Sequence, residues 1–461
     1  MRKGRVVSLN IIVVGIGKVG YAVADRLTQE NHDVIVIDTN EDVINDILQD
    51  IEVIGIIGNG ASSKTLINAG VEDADMVIAL TGNDEVNILC CLLANKLGAA
   101  STIARVRNPE YSDDIHIIKD NLGLTFAVNP EREAAAEFLR TMEFPVARNV
   151  DMFGHGKVDL LSFTVNRSCS LIDKPIKDSF AKIKLPVLAC GVERGDDVFI
   201  PGGNFEIKEN DTLAILTPKK YAADFFKKIG YKSTNIRNIM IIGGGKVSVY
   251  LAKLLNNINV NTTIVEKDLP TARKLSAMLP NLNIVHGDGT NHSLLLEEGI
   301  KDADAFCCLT GIDEENIVLS LFAKSVNPQI KTIAKVNHTL FREVVKTVDI
   351  DSVIYPKFTT ANIILKHVRA KAAGSNESNV MKISRIINNK VEAIEFLVSK
   401  DSALVGTQIQ NLKIKKNILL GTIMRGDKVI IPKGSDVLEP DDQVVVVTTS
   451  EHLLTLDDIL E

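Results

Sequence analysis

The sequence lacks any apolar run that approaches the roughly eighteen residues needed to cross a bilayer. We therefore expect a soluble chain, whatever it binds. An excess of positive charge is missing too, since 52 basic residues stand against 59 acidic ones for a net charge of −7. With no global basic field, we expect no nucleic-acid partner. A basic cluster near the start (Arg2, Lys3, Arg5) could touch anionic lipid but is interpreted as a solvated tail.

Cysteine spacings of the zinc or redox type are also absent. The six cysteines are Cys90, Cys91, Cys169, Cys190, Cys307 and Cys308. None shows the two-residue spacing of such motifs, and no secretory signal precedes them. Because they lie in apolar runs, we expect reduced thiols packed as small hydrophobes in the cytosol. The eight histidines are scattered, and His286 with His292 lacks a zinc-type spacing, so we expect no metal site.

The composition is otherwise that of a folded protein. Hydrophobic residues make up 45% and charged residues 24% of the chain, which excludes a disordered or fibrous protein. At roughly 100 to 200 residues per domain, 461 residues should hold about two to four domains.

A long internal repeat is the most informative feature. The segment NIIVVGIGKVG at 10–20 matches NIMIIGGGKVS at 238–248, and Gly58–Asn87 matches Gly287–Asn316 in nearly the same register. The period of about 230 residues is too long for a solenoid repeat. The sequence therefore predicts a tandem pair of duplicated units.

Within each unit, short β-branched runs alternate with helical segments, which is the pattern of parallel strands joined by crossover helices. The predicted strands are Ile11–Val14, Val34–Ile37, Val53–Ile57, Met76–Leu80 and Thr102–Val106, then Ile239–Ile242, Thr262–Val265, Asn283–Val285, Ala305–Leu309 and Thr332–Val336. Helices are predicted from spacing, since one apolar face would hold Val19, Ala22, Val23 and Leu27, and another would hold Val86, Leu89, Leu93 and Leu97. We predict an α/β fold with two tandem doubly wound parallel-sheet (Rossmann-like) domains, each followed by a small α+β module.

The expected domain boundaries follow the change in pattern. The first Rossmann-like domain covers 8–130, a connecting helix 131–150, the first C-terminal module 151–228, the second Rossmann-like domain 235–357, a connecting helix and linker 358–376, and the second module 377–461. The connecting helices are predicted at Glu131–Arg140, stopping near Pro145, and at Thr359–Ala373, before a polar segment. Turn signals and strand runs mark the modules as mostly β.

A glycine-rich motif directly follows the first strand and opens a helix. It consists of Gly15, Ile16, Gly17, Lys18, Val19 and Gly20. In this context the glycines make a tight turn, let the backbone approach a pyrophosphate and let the helix pack on the strand. Asp38 ends the next strand, where its carboxylate can accept both ribose hydroxyls, which favours NAD or an adenosine nucleotide over NADP. A packing turn without a ligand is the alternative.

The second copy of the motif departs from the first. It consists of Gly243, Gly244, Gly245, Lys246, Val247 and Ser248, and Glu266 stands where Asp38 stands in the first copy. Serine in place of the third glycine puts the close packing of helix and strand in doubt. Two interpretations stay open: a nucleotide site of different preference, and a duplicate that keeps the fold without the ligand.

Further strand ends are expected to close each pocket, because ligands of open α/β sheets lie outside the carboxyl ends of the strands. The candidates are Asn59, Gly60, Thr81, Gly82 and Arg105 in the first copy, and Asp288, Thr310, Gly311 and Lys335 in the second. Arg105 and Lys335, with Lys18 and Lys246, place two cations at each proposed phosphate site. A solvated surface charge is the alternative for each cation.

No catalytic constellation accompanies these sites. Hydride transfer needs a placed acid or base and a substrate pocket. The two C-terminal modules also resemble each other, whereas a dehydrogenase normally pairs its cofactor domain with one dissimilar substrate domain. We therefore predict that the protein is not an enzyme. An NAD-dependent oxidoreductase with tandem Rossmann domains is the alternative.

Several ordered motifs, each present twice, carry a family resemblance. GIGKVG with Asp38, the block GVEDADMVIALTGNDEVN and the segment ARVRNPEY resemble the RCK (regulator of potassium conductance, or KTN) domain. Two such domains in series, each with a C-terminal module, are similar over nearly the whole chain to the TrkA family of potassium uptake regulators. Asn59 stands where this family often shows aspartate, and Ser248 replaces a glycine.

The resemblance implies a cytoplasmic subunit, peripheral on the inner face of the cell membrane, that gates a Trk-type potassium-translocating membrane subunit. It implies binding of NAD(H) and of ADP or ATP by the residues named above in both copies. It also implies that paired domains exchange their connecting helices and that four chains form a homotetramer.

Overall fold

The computed structural model describes residues 8–108, 111, 123–231, 236–338, 341–372, 379–387, 390–449 and 453–461. Contacts divide the chain into two compact units, residues 1–133 with 356–378 and residues 134–355 with 379–461. The basic cluster at Arg2, Lys3 and Arg5 and most of the polar linker expected after the second connecting helix lie outside the described residues.

The first unit contains a six-stranded parallel sheet. Its strands are β1 (Asn10–Val14), β2 (Asp33–Asp38), β3 (Ile54–Ile57), β4 (Met76–Ala79), β5 (Thr102–Arg105) and β6 (Phe126–Val128), in the order β3-β2-β1-β4-β5-β6. The intervening helices are α1 (Lys18–Gln29), α2 (Glu41–Asp50), α3 (Ser63–Asn68) and α4 (Asp84–Lys96). This order is doubly wound, and its switch point lies between β1 and β4, where a ligand can enter at the carboxyl ends of the strands.

Helix α5 (Pro130–Glu143) leads into an antiparallel sheet. Its strands are β7 (Asn149–Phe153), β8 (Val158–Thr164), β9 (Leu188–Arg194), β10 (Asp197–Phe199) and β11 (Thr212–Pro218), in the order β10-β9-β11-β8-β7. Helices α6 (Ile176–Ile183) and α7 (Lys219–Lys228) complete this first C-terminal module. The proline at the start of α5 suits a first helical position, where its missing N–H costs nothing.

The second half of the chain repeats both sheets. The parallel strands are β12 (Asn238–Ile242), β13 (Asn261–Glu266), β14 (Asn283–His286), β15 (Ala305–Cys308), β16 (Lys331–Lys335) and β17 (Ser352–Ile354), in the order β14-β13-β12-β15-β16-β17. The helices are α8 (Lys246–Asn257), α9 (Leu269–Met278), α10 (His292–Glu297), α11 (Asp313–Val326), α12 (Phe341–Thr347) and α13 (Pro356–Ala372). The second module has strands β18 (Val380–Ile386), β19 (Val391–Leu397), β20 (Ile418–Arg425), β21 (Lys428–Ile430) and β22 (Gln443–Thr448), in the order β18-β19-β22-β20-β21.

The predicted fold class is confirmed: each doubly wound parallel sheet is followed by a small module with an antiparallel sheet. The sequence pattern does not predict β6 and β17, because each is only three residues long. The six cysteines are buried and form no disulfide, and they pack as expected.

One residue of a predicted helix face lies outside the core, whereas Leu93 and Leu97 of the same face pack against it. The pattern in α4 places Leu89 in the core, but Leu89 is 45% exposed, whereas Cys90, Cys91 and Ala94 are buried. Small side chains let α4 lie close to the sheet, so the helix turns its bulkier residues away. Its counterpart α11 behaves in the same way and leaves Val318 61% exposed.

The connecting helices complete the cores of the parallel sheets. In the first unit, Ala361, Ile364, Leu365 and Val368 of α13 pack in one cluster with β1 and α1. In the second unit, α5 contributes Ala134, Ala135, Phe138 and Met142 to the cluster that includes β12 and α8. Each parallel sheet is therefore covered on one face by a helix that the other half of the chain supplies.

A buried ion pair fastens α13 to α1. Arg369 is fully buried, and its Nε and Nη2 donate to the two carboxylate oxygens of Glu30 at 2.8 and 2.7 Å. Glu30 caps the carboxyl end of α1 and is 5% exposed. Paired in this two-point geometry, the charges are compensated where water cannot reach them.

We expect Glu30→Ala to lower the free energy of unfolding by about 3–5 kcal/mol, because the fully buried Arg369 would lose both hydrogen bonds to this carboxylate. Urea unfolding followed by circular dichroism measures this loss, since the chain has no tryptophan to report by fluorescence. Glu133→Ala is the control: Glu133 pairs with the exposed Arg132, and its loss should cost at most about 1 kcal/mol. Equal losses in the two variants would contradict a stabilising role for the buried pair.

Candidate nucleotide-binding sites

A tight turn at the carboxyl end of β1 begins the first site. Gly15 has φ +88°, and a side chain there would collide with the backbone nitrogen of Thr81 at 2.6 Å. Gly243 has φ +94° after β12, and its backbone N–H bonds to Val265 as that of Gly15 does to Ile37. Both turns need glycine for conformation and for space.

The helix after each turn begins without a side-chain cap. Gly17 and Gly245 are the N-cap residues of α1 and α8, and no described side chain caps either helix. Both glycines are exposed, and no described heavy atom lies within 4 Å of where a Cβ would stand. In contrast, Asn40 and Asn83 cap α2 and α4. The amides of the first turn and the helix dipole can therefore hold an anion at α1 and α8.

A carboxylate at the end of the second strand faces each turn. Oδ2 of Asp38 accepts from the Ile16 N–H at 2.7 Å, and Oδ1 accepts from the Asn40 N–H at 3.0 Å. Glu266 is the equivalent residue in the second copy. Its carboxylate accepts from the Gly244 N–H at 2.6 Å and from the Asp268 N–H at 2.7 Å. Each carboxylate oxygen keeps acceptor capacity toward ribose hydroxyls.

The second copy forms the same turn with side chains of different size. In the first copy Ile16 is buried, and a Cβ on Gly20 would lie 2.0 Å from the Gly15 carbonyl oxygen. In the second copy Glu266 and Leu275 approach the space that a side chain on Gly244 would occupy. Ser248 is fully buried and donates its hydroxyl to the Gly243 carbonyl. The close packing that Ser248 put in doubt is preserved.

A buried asparagine organises the end of the fourth strand in each copy. Oδ1 of Asn87 accepts from the N–H and the hydroxyl of Thr81 at 2.8 and 2.7 Å, and its Nδ2 donates to the carbonyl of Arg105 at 2.9 Å. Asn316 makes the equivalent bonds to Thr310 and Lys335. Gly82 and Gly311, next in the chain, are exposed at the mouth of each site.

The cations expected on the fifth strands reach the preceding strand. Nη1 of Arg105 lies 3.4 Å from the Leu80 carbonyl, and Nζ of Lys335 donates to the Leu309 carbonyl at 3.0 Å. Burial lowers the pKa of Arg105, and Glu131 partly offsets that effect. The two side chains thus occupy matching positions beside Thr81 and Thr310, whereas Lys18 and Lys246 are exposed at the helix N-termini.

An acidic residue at the start of α5 faces the first site. The carboxylate of Glu131 lies 3.9 Å from Arg105 and 4.0 Å from Arg107, and one of its oxygens is buried with no hydrogen-bond partner among the described residues. Arg107 also pairs with Asp84 at 3.4 Å and donates to the Gly82 carbonyl. This cluster links the loop after β4 to the first turn of α5.

Other predicted residues have local structural roles. Asn59 is exposed, and its side chain accepts from the Ala61 N–H at 2.9 Å. Asp288 pairs with Lys267 at 2.7 Å, and that contact, with bonds from Thr290, lowers the pKa of Asp288 to about 2. Gly60 and Gly289 pack against the ends of β1 and β12, and Val19 and Val247 pack inward from the helices.

Sequence reasoning missed the residues that shape the loops. The glycine-motif pattern does not single out Asn87 and Asn316. It also does not single out Asp84 and Asp313, whose carboxylates accept backbone N–H groups after the fifth strands. The signal was available, because the spacing TGxDExN occurs in both copies at the same place. Arg107 and Glu131 have no such repeated signature.

Metal-binding clusters and membrane-spanning helices are both missing from the described part of the chain. No group of three or more His, Cys, Asp or Glu residues there is arranged to hold a metal ion. None of the described helices combines the length and apolar character needed to cross a membrane.

Family models match both halves of the chain. The TrkA-N domain matches residues 11–130 and 239–356, and the TrkA-C domain matches residues 160–230 and 393–461. The "Trk system potassium uptake protein TrkA homolog 1" of Methanosarcina mazei is 31% identical over 95% of this chain and 97% of its own length. The "Trk system potassium uptake protein TrkA" of Azorhizobium caulinodans is 26% identical over 98% of both.

Solved structures share the fold. The "GsuK Channel" is 19% identical, covers 96% of this chain and 77% of its own, and superposes with a TM-score of 0.64. The structure titled "GsuK channel bound to NAD" gives a TM-score of 0.63 with the same identity and coverage. At this level of identity, the likeness supports the architecture alone.

We expect Gly20→Ala to destabilise the protein by about 1–3 kcal/mol, since the added carbon would overlap the Gly15 carbonyl oxygen. The matched change Ser248→Ala removes only one hydroxyl from a site built to hold a side chain, so it should cost about 0.5–1.5 kcal/mol. Urea unfolding of both variants tests the difference. A smaller loss for Gly20→Ala than for Ser248→Ala would show that the two turns are not packed as described.

Proposed function

The chain belongs to the TrkA family of Trk system potassium uptake proteins, and from that membership we propose that it is a nucleotide-sensing regulatory subunit of a potassium uptake system. One observation carries the proposal. Each half presents an uncapped helix N-terminus directly beside a carboxylate held at the end of the next strand. That pairing suits a phosphate and a ribose, which together are the common part of adenine nucleotides.

The proposed ligands are NAD(H) and ADP or ATP. Phosphates would lie at the first turns of α1 and α8, near Lys18 and Lys246, and the ribose on Asp38 and Glu266. Solved neighbours include the GsuK channel bound to NAD and the GsuK channel bound to ADP, which supports both ligand classes for this fold. Asn59 and Asp288 would border the adenine, the latter with Lys267 beside it.

The proposed action is regulatory rather than catalytic. Relatives over nearly the whole chain are named as potassium uptake proteins. We propose that the chain acts in the cytoplasm, peripheral on the inner face of the membrane, as a homotetramer that gates a Trk-type potassium-translocating subunit. Turnover separates this function from that of an oxidoreductase, because a sensor binds NADH without consuming it.

The contacts of Glu131 suggest how the first site could signal. Bound phosphate would compete with Glu131 for Arg105 and Arg107, and would therefore release the first turn of α5. The remainder of α5 belongs to the core around β12. The second copy lacks this arrangement in sequence, since Lys357 follows Pro356 where Glu131 follows Pro130. The first site, and not the second, would therefore respond to the number of phosphates on the bound nucleotide.

We expect Asp38→Asn to weaken nucleotide binding at the first site at least about tenfold. Asparagine keeps one acceptor for the Ile16 amide but loses the charge and the second acceptor, a change of about 1.5–3 kcal/mol. Calorimetric titration of the full chain with NAD, NADH, ADP and ATP measures the loss, and Glu266→Gln is the matched variant at the second site. Unchanged affinity in both variants would refute ribose binding here, and loss of NADH absorbance during the titration would refute a purely sensory role.

We also expect ATP and ADP to give different particle shapes in small-angle scattering, and Glu131→Gln to reduce that difference, as should Lys18→Ala. A coupling of about 1–3 kcal/mol would change an opening equilibrium roughly 5- to 150-fold. Glu133→Gln is the control, because Glu133 pairs with the exposed Arg132. Identical scattering with both nucleotides at saturation would leave the nucleotide a structural ligand, and a monomer by light scattering in every condition would exclude the homotetramer.

A further inference from the structure

A carboxylate without a partner lies inside the first C-terminal module. Asp159, the second residue of β8, lies between β7 and β11 and is fully buried. Neither of its carboxylate oxygens has a hydrogen-bond partner among the described residues. Its neighbours across the strands are Met152 on β7 and Thr217 on β11, neither of which carries a charge. A buried carboxylate in such surroundings strongly favours its neutral, protonated form.

The second module shows what a compensated carboxylate looks like at the same place. Glu392 on β19 occupies the position of Asp159, and its neighbour on β18 is Arg385 where β7 has Met152. Nε of Arg385 donates to Glu392 at 2.9 Å, and both side chains are nearly buried. Both modules therefore have a buried acid at this position of the sheet. Only the second module has a basic residue, Arg385, opposite it on the neighbouring strand.

Two charged groups act on Asp159 from the helices packed near it. They are Lys219, the first residue of α7, and Glu143, the last residue of α5. These two residues pair with each other at 2.7 Å and are both about two-fifths exposed. Burial raises the pKa of Asp159 to about 7, Lys219 opposes that rise, and Glu143 adds to it.

We propose that Asp159 is a regulatory proton site that controls the attachment of α5 to the first C-terminal module. When Asp159 is protonated, Lys219 remains paired with Glu143 and joins the end of α5 to the start of α7. When Asp159 loses its proton, the buried anion draws Lys219 inward, since Lys219 is the cation that acts on it. Glu143 then loses its partner, and the last turn of α5 loosens.

The direction of the pH effect follows from the two states of the chain. In the unfolded chain an aspartate has a pKa of about 3.9, so it releases its proton well before the native protein does. The native state is therefore fully favoured by this group below about pH 4. Its advantage falls, by at most about tenfold in the unfolding equilibrium per pH unit, until the native group has titrated near neutrality.

Hydrogen exchange by mass spectrometry on the full chain tests the proposal without any nucleotide, so its failure and that of the nucleotide proposal are distinguishable. After correction for intrinsic exchange rates, we expect peptides covering Pro130–Glu143 and Lys219–Lys228 to exchange several-fold faster at about pH 8 than at about pH 6. In Asp159→Asn, which mimics the protonated acid, both peptides should keep the slow rates at both pH values. Wild-type pH dependence in Asp159→Asn would overturn the proposal.

Two further variants keep the test decisive. Glu392→Gln is the matched control, because it alters the equivalent carboxylate and leaves Asp159 intact; the pH dependence of both peptides should persist. Met152→Arg supplies the base that the second module has at Arg385, and it should remove the pH dependence by pairing with Asp159. If Asp159→Asn fails to fold, Met152→Arg decides the question: retention of the wild-type pH dependence in that variant would overturn the proposal.

Discussion

In this protein, one apolar face of each parallel sheet is covered partly by a helix from the other half of the chain. The face over β1 needs α13, and the face over β12 needs α5. Burying large aliphatic and aromatic side chains at both places gives a hydrophobic stabilisation that neither half would have alone. Helix α5, whose first turn contacts Arg105 beside the first candidate site, is therefore also part of the core around β12.

The duplicated halves have diverged through compensating changes. Isoleucine, aspartate and glycine at Ile16, Asp38 and Gly20 become glycine, glutamate and serine in the second copy. The longer carboxylate occupies space freed by the lost isoleucine, and the serine hydroxyl bonds to the turn that a bare glycine contacts in the first copy. The acid still accepts two backbone amides in both copies. The architecture of the turn is thus preserved while the side chains around it change.

Sequence reasoning predicted the fold class and most of the strands because both rest on patterns that are strong and occur twice. β-branched runs, the glycine turn and the acid 23 residues later each have a direct physical cause. It failed where the outcome depends on packing. Leu89 follows the helical stripe but is exposed, since the smaller Cys90, Cys91 and Ala94 allow a closer approach to the sheet. The pairings of Glu131 with Arg105 and of Arg369 with Glu30 join residues far apart in sequence, and no local spacing predicts such contacts.

The exchanged helix α13 has a consequence for how the chain is made. The first unit consists of residues 1–133 and 356–378, so more than two hundred residues separate its parts. During synthesis, the sheet containing β1 emerges from the ribosome long before α13 does, and its apolar face must wait for that helix. Loop closure over such a distance is slow, and exposed apolar surface favours aggregation in the interval. Chaperone demand during translation should therefore concentrate on the first sheet, although it is the first to be completed as a set of strands.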